Sequence, residues 1–218
     1  HLNYQRNVAH EFLRMYYMME KISRNINNFD ADVQKEYRDY YSAFTEKYQF
    51  TPTQYSFLLF WELSIYYSDV NGLIYDTMWR NVEKVYGKMK EKELINKVIG
   101  VLSQQVKDYA TWASESENQE WDFSKFFEFP FIKDGKGNYI SVCDITLRNA
   151  FFEKIFWLIR DCYPKDDSRA MAFFGRLFEK YIQNLTQEAT KGSYSYIEEF
   201  AYGKNNKKSS DAYIRKDN

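Results

Sequence analysis

A chain of 218 residues with 44% hydrophobic content can bury a sizeable core, in one large domain or two small ones, which excludes a disordered protein. Its 30 basic and 31 acidic side chains nearly cancel, so no global field draws the molecule onto nucleic acid and any such binding is local. With 20 Tyr and 18 Phe against 3 Pro and 8 Gly, the composition favours long helices with few tight turns, and the expected fold class is mainly α.

From Glu11 to Ile26, Phe12, Met15, Tyr16, Met19, Ile22 and Ile26 keep the three-and-four spacing of an amphipathic helix. Asp30 is placed to cap a second helix carrying Val33, Tyr37, Tyr40, Tyr41, Phe44 and Tyr48. Thr51-Pro52-Thr53-Gln54 has the parts of a helix start: Thr51 as cap, Pro52 at the first helical position, Gln54 completing a capping box. Phe57, Leu58, Leu59, Phe60, Trp61, Leu63 and Ile65 then cover nearly the whole circumference, which predicts a helix in the middle of a bundle. Asn71-Gly72 ends it, a helix from about Ile74 to Met89 follows, and Leu94, Ile95, Val98, Ile99, Leu102, Val106 and Tyr109 mark another.

Residues 113–122, ASESENQEWD, hold four acids and few aliphatics, the composition of a solvated connection. The boundary is placed there, giving a helical bundle at 1–122 and a second module at 123–218, with the aromatic stretch Phe123 to Phe131 docking the connection. FPFIKDGKGNYISV, 129–142, reads as two short strands around Asp134-Gly135-Lys136-Gly137-Asn138. Asp144 caps a helix running to about Cys162, and Pro164 ends it. A further helix spans roughly Ser168 to Thr186 with Met171, Phe174, Phe178, Ile182 and Leu185 on its apolar side. Tyr194 to Tyr202 and Asp211 to Ile214 are short, aromatic and β-prone, separated by the turn-forming GKNNKKSS.

Several chemistries are excluded. Cys143 and Cys162 belong to no Cys/His cluster and read as buried thiols of a reducing cytoplasm. The most apolar run, Tyr55 to Tyr67, contains Glu62 and falls short of the roughly 20 residues a membrane span needs. No basic then apolar leader opens the chain, so the expected location is cytoplasmic. His1 and His10 are the only histidines, which argues against a His-dependent triad, and Arg6 and His10 stand too close for the Arg-x4-6-His of helical HEPN ribonucleases. Neither a phosphate-binding Gly-x4-Gly-Lys-Ser/Thr nor Gly-x-Gly-x-x-Gly occurs.

In the last third, FFGRLFEKY (173–181), YSYIEEFAYG (194–203) and KKSSDAYI (207–214) follow in order. Together they resemble the opening of a PD-(D/E)xK, restriction-endonuclease-like phosphodiesterase domain. The resemblance covers about residues 129 to 218. It implies a helix bearing a Glu, then a sheet whose second strand begins at the signature Asp and whose third carries Glu-x-Lys. On that match Glu179 is the helix acid, Asp211 the signature acid with Ser210 in place of Pro, and Glu198 or Glu199 an accessory acid. Alternation sends those two to opposite faces, and Glu199 is preferred. Asp211 and Glu179 would then hold Mg2+ or Mn2+, an ion that suits carboxylate oxygens and activates water. Lys204, Lys207, Lys208, Arg215 and Lys216 would grip phosphates. Tyr194, Tyr196 and Tyr202 could stack on bases, although tyrosines on a strand are more often core. No Glu-x-Lys follows Asp211, so the core expected here lacks its last strand.

The implied function is part of a metal-dependent DNA endonuclease of restriction or anti-phage defence type. Two alternatives stand beside it: a non-catalytic helical module for protein interaction or self-association, and a helical protein that binds or cuts RNA.

Overall fold

The computed structural model describes residues 2–68, 79–115, 123–192, 194–198, 200–205, 207–208 and 212–216. They form a mainly helical molecule with a small mixed sheet.

Helix α1 (Leu2–Tyr16) runs on into a π-helical turn, Tyr17–Ile22, in which Ser23 N–H bonds the Met18 carbonyl five residues back at 2.9 Å. The extra residue in that turn brings Met18 and Met19 inward together, alongside Met15 and Ile22. The helix stops there, so Ile26, expected on the apolar face, sits exposed on a 3-10 turn.

The single helix expected after Asp30 is two. Helix α2 (Ala31–Gln34) has Asp30 before it without a side-chain capping bond, and α3 (Tyr40–Tyr48) is capped by Asp39, whose carboxylate accepts from Ser42 N–H at 3.0 Å. The break between them lets Tyr37 and Tyr40 join Phe29 around Phe173, with ring centroids 5.1, 5.2 and 5.0 Å from it.

Helix α4 (Pro52–Ser68) begins with the expected capping box: Gln54 N–H donates to Thr51 Oγ1 at 3.1 Å, and Thr51 N–H to Gln54 Oε1 at 2.8 Å. It packs among several other helices but is not buried over its whole circumference. Tyr55, Leu58, Leu59, Glu62 and Leu63 are buried, but Phe57 and Trp61 are 56% and 47% exposed on the opposite face.

Strand β1 (Arg80–Asn81) and the short α5 (Val82–Tyr86) replace the second part of the helix expected from Ile74 to Met89; Asn71-Gly72 and 74–78 lie outside the described residues. Asn81 caps α5 by accepting from Glu83 and Lys84 N–H. The next predicted helix is likewise interrupted, into α6 (Lys92–Val101), β2 (Ser103–Gln105) and α7 (Val106–Glu115). Helix α8 (Ser124–Glu128) stacks Phe126 on Tyr109 of α7 at 4.9 Å, the docking expected of this aromatic stretch.

The predicted hairpin forms as β3 (Phe131–Lys133) and β4 (Asn138–Ser141), and Gly137 supplies the positive φ of +83° that the turn needs. The sheet order is β1-β4-β3-β2, with β1 and β3 antiparallel to β4 and β2 parallel to β3. β1 and β2 thus come from before residue 122 and β3 and β4 from after it. One cluster of buried side chains runs from Met15 to Leu177, so the expected boundary at 122 does not coincide with a break in the core.

A buried ionic cluster ties α4 to this sheet. The Glu62 carboxylate is fully buried, pairs with Arg80 of β1, and accepts from Tyr86 Oη at 2.5 Å and Tyr139 Oη at 2.9 Å. Burial, then the charge of Glu62, holds both phenols well above the ordinary phenol range, so both remain donors.

The helix entered at Asp144 is α9 (Asp144–Asn149), a π-helical segment (Ala150–Lys154) and α10 (Ile155–Arg160); Cys143, not Asp144, occupies the capping position. Tyr55 Oη donates to the Ala150 carbonyl at 2.7 Å, where the π segment begins. Cys162 is half-buried, and burial pushes its thiol up to about 11.

Helix α11 (Ser168–Thr190) is capped by Asp167, which accepts from Arg169 and Ala170 N–H and pairs with Arg38 at 3.2 Å. That hydrogen-bonded guanidinium holds the Asp167 carboxyl below its usual range. The buried face of α11 is Ala170, Phe173 and Leu177. The stripe expected to be core lies to one side of it, and Phe178, Ile182 and Leu185 are 42%, 42% and 53% exposed. No described helix is long and apolar enough to cross a membrane.

Candidate nucleic-acid interface

Helix α11 leads through Gly192, at φ +83°, into a two-stranded antiparallel ribbon. Strand β5 (Tyr194–Glu198) pairs with β8 (Ala212–Lys216) from Tyr194↔Lys216 to Glu198↔Ala212. Strand β6 (Ala201–Tyr202) pairs with β7 (Lys207–Lys208) beyond it, closed by a turn with Gly203 at φ +73°. The order of helix, strand, turn and strand is the one read from the sequence, except that Lys207 and Lys208, read as part of the turn, form β7 against Ala201 and Tyr202.

Of the sequence-predicted acids, Glu179 lies exposed on α11 and is engaged by Arg176 at 3.0 Å, three residues before it. A Cβ added to Gly175, one turn earlier, would meet nothing within 4 Å, so the small face beside Glu179 has no described element packed on it. Glu198 is the last β5 residue, opposite Ala212. Glu199 and Asp211 lie outside the described residues; in the chain they are the neighbours of that terminal pair. Among the described residues no group of three or more His, Cys, Asp or Glu side chains converges.

The basic residues fare more uniformly. Lys204, Lys207, Arg215 and Lys216 are all exposed, and Lys208 lies in β7. Tyr194 and Tyr202 are exposed rather than core, while Tyr196 is half-buried. Two further rings lie with Tyr202 and were not singled out by sequence: Phe200 lies 5.8 Å from Tyr213 and 6.3 Å from Tyr202. Their signal in the sequence was only parity along a strand, which means little until the register is known.

A second feature lies at the other end of α11. A groove of about 260 Å3, lined by Met18, Phe152, Trp157, Phe174 and Phe178 with Arg14 and Glu153 among its polar residues, opens beside the exposed stripe. In comparisons with protein-family models, curated proteins and solved structures, the chain matches none.

Proposed function

We propose that this chain is part of a metal-dependent endonuclease, acting on DNA, of restriction or anti-phage defence type. The observation that carries the reading is the antiparallel ribbon after α11, whose terminal cross-strand pair, Glu198 and Ala212, has Glu199 and Asp211 as chain neighbours. Asp211 and Glu179 would hold the ion, with Glu199 as an accessory acid; the donor set is carboxylate only, which suits hard Mg2+ or Mn2+. When bound, such an ion polarises a phosphoryl oxygen and lowers the pKa of the attacking water. The chain's own contribution beside the acids is a set of exposed cations, Lys204, Lys207, Arg215 and Lys216, that neutralise and position the phosphates.

The test is nicking of supercoiled plasmid in Mg2+ by the protein expressed from its complete reading frame. Nicking is expected, stopped by chelation and abolished in Asp211→Ala. Its absence, or nicking that survives both Asp211→Ala and Glu179→Ala, refutes the reading.

The exposed stripe Phe178, Ile182 and Leu185, continuous with the Trp157 groove, favours a second reading in which the helical part binds another protein or another copy of itself.

A further inference from the structure

One face of the terminal ribbon carries a continuous aromatic and basic track. The β5–β8 register pairs Ile197 with Tyr213 and Ser195 with Arg215. Strand alternation therefore sets Tyr213 and Arg215 on the same face, about 7 Å apart along β8. The Phe200 ring lies 5.8 Å from Tyr213 and 6.3 Å from Tyr202, which carries the track into β6. There Tyr202 stands directly across from Lys207 of β7, and directly paired residues share a face. The order along the ribbon is Arg215, Tyr213, Phe200, Tyr202, Lys207, a cation at each end and three rings between. All five are exposed, the rings by 44%, 47% and 51% in that order.

Charge favours a polyanion at this place although the chain as a whole has a net charge of -1. The segment 194–216 holds Lys204, Lys207, Lys208, Arg215 and Lys216 against Glu198, Glu199 and Asp211. A duplex keeps its base faces inside the stack and would meet only the cations. A single strand offers both groups at once, phosphates for the cations and free base faces for the rings.

We propose that this face of the ribbon binds single-stranded nucleic acid, with bases stacked on Tyr213, Phe200 and Tyr202 and flanking phosphates held by Arg215 and Lys207. The proposal rests on the nucleic-acid reading above and adds the strand state of the substrate. In the chain, Asp211 stands two residues before Tyr213.

The experiment measures anisotropy of labelled dT20, rU20 and a 20-base-pair duplex titrated with the full chain at low salt. Either single strand is expected to bind at least tenfold more tightly than the duplex, and the tighter of the two identifies the natural polymer. Phe200→Ala and Tyr213→Ala should each weaken single-strand binding by about 5- to 150-fold and leave duplex binding unchanged. Tyr213→Phe keeps the ring and should bind as the parent does, which separates lost stacking from a lost ribbon. Lys207→Gln and Arg215→Gln should weaken both polymers and flatten the salt dependence. Equal affinity for duplex and single strand, or ring variants as tight as the parent, overturns this proposal while leaving the nucleic-acid reading intact. No binding of any polymer overturns both.

Discussion

Replacing Glu62 by Gln is the sharpest test of how α4 is held to the sheet. The substitution keeps the shape and removes the charge at a position with no solvent exposure, next to an Arg80 side chain that is itself only 12% exposed. Screening by water is therefore slight, and the Arg80 guanidinium is left without its counter-charge. The new amide also turns an N–H group toward a site where Arg80, Tyr86 and Tyr139 all donate. Breaking a buried pair from one side costs about 3 to 5 kcal/mol. For a chain of this size that lowers Tm by on the order of 10 °C. Tyr86→Phe and Tyr139→Phe each remove one hydrogen bond to a charged acceptor and should cost about 1.5 to 3 kcal/mol. The assay is urea unfolding followed by far-ultraviolet circular dichroism, with Glu62→Leu, Arg80→Leu and the double variant Glu62→Leu/Arg80→Leu forming a double-mutant cycle. The double variant should be more stable than the sum of the singles predicts, because neither charge is then left buried alone. A Glu62→Gln cost below about 1 kcal/mol, or strictly additive singles, would refute the account of this cluster as a paired, desolvated tie.

Asp167 makes stability depend on acid pH. Its folded-state carboxyl titrates below its unfolded value because Arg38 pairs with it, so its contribution is present above the unfolded value near pH 4 and is lost as pH falls through the depressed folded value. Urea midpoints at pH 7 and pH 3 should differ more for the parent than for Asp167→Asn, which keeps the helix cap but loses the ion pair; equal differences would contradict this. Self-association through α11 predicts a concentration-dependent mass by light scattering that Ile182→Glu reduces to the monomer without lowering Tm, since Ile182 is 42% exposed in a single copy. A parent that stays monomeric at 100 μM would remove that reading.

Features with local causes were legible in the sequence. The Thr51 to Gln54 box and the turn at Asp134 to Asn138 are each written within five residues, and both formed as expected. The features that escaped depend on partners far away in the chain. Leu102, Val106 and Tyr109 continue the helical spacing of Leu94 to Ile99, yet Ser103 to Gln105 leave the helix to pair with β3, because sheet pairing outweighs a weak local preference. Glu62 looked like a lone acid in an apolar run; its partners Arg80, Tyr86 and Tyr139 stand 18, 24 and 77 residues away, with no repeating pattern to announce them. On α11 the three-and-four rule fits two stripes equally well, 170/173/177 and 171/174/178, and only the Phe29, Tyr37 and Tyr40 rings waiting around Phe173 decide between them. At the ribbon the strands were legible, whereas the shared face of Tyr202, Phe200 and Tyr213 was not, since it depends on register across two ladders.

The Phe173 cage also sets a timetable for synthesis. Tyr40 meets its partner Ala170 across 130 residues of chain. At roughly 5 to 20 residues per second, Phe29, Tyr37 and Tyr40 leave the ribosome about 7 to 26 s before the helix they enclose. During that interval their rings face water on a nascent chain whose first sheet is also unpaired. Slowing translation between residues 40 and 170 would lengthen that exposure in proportion.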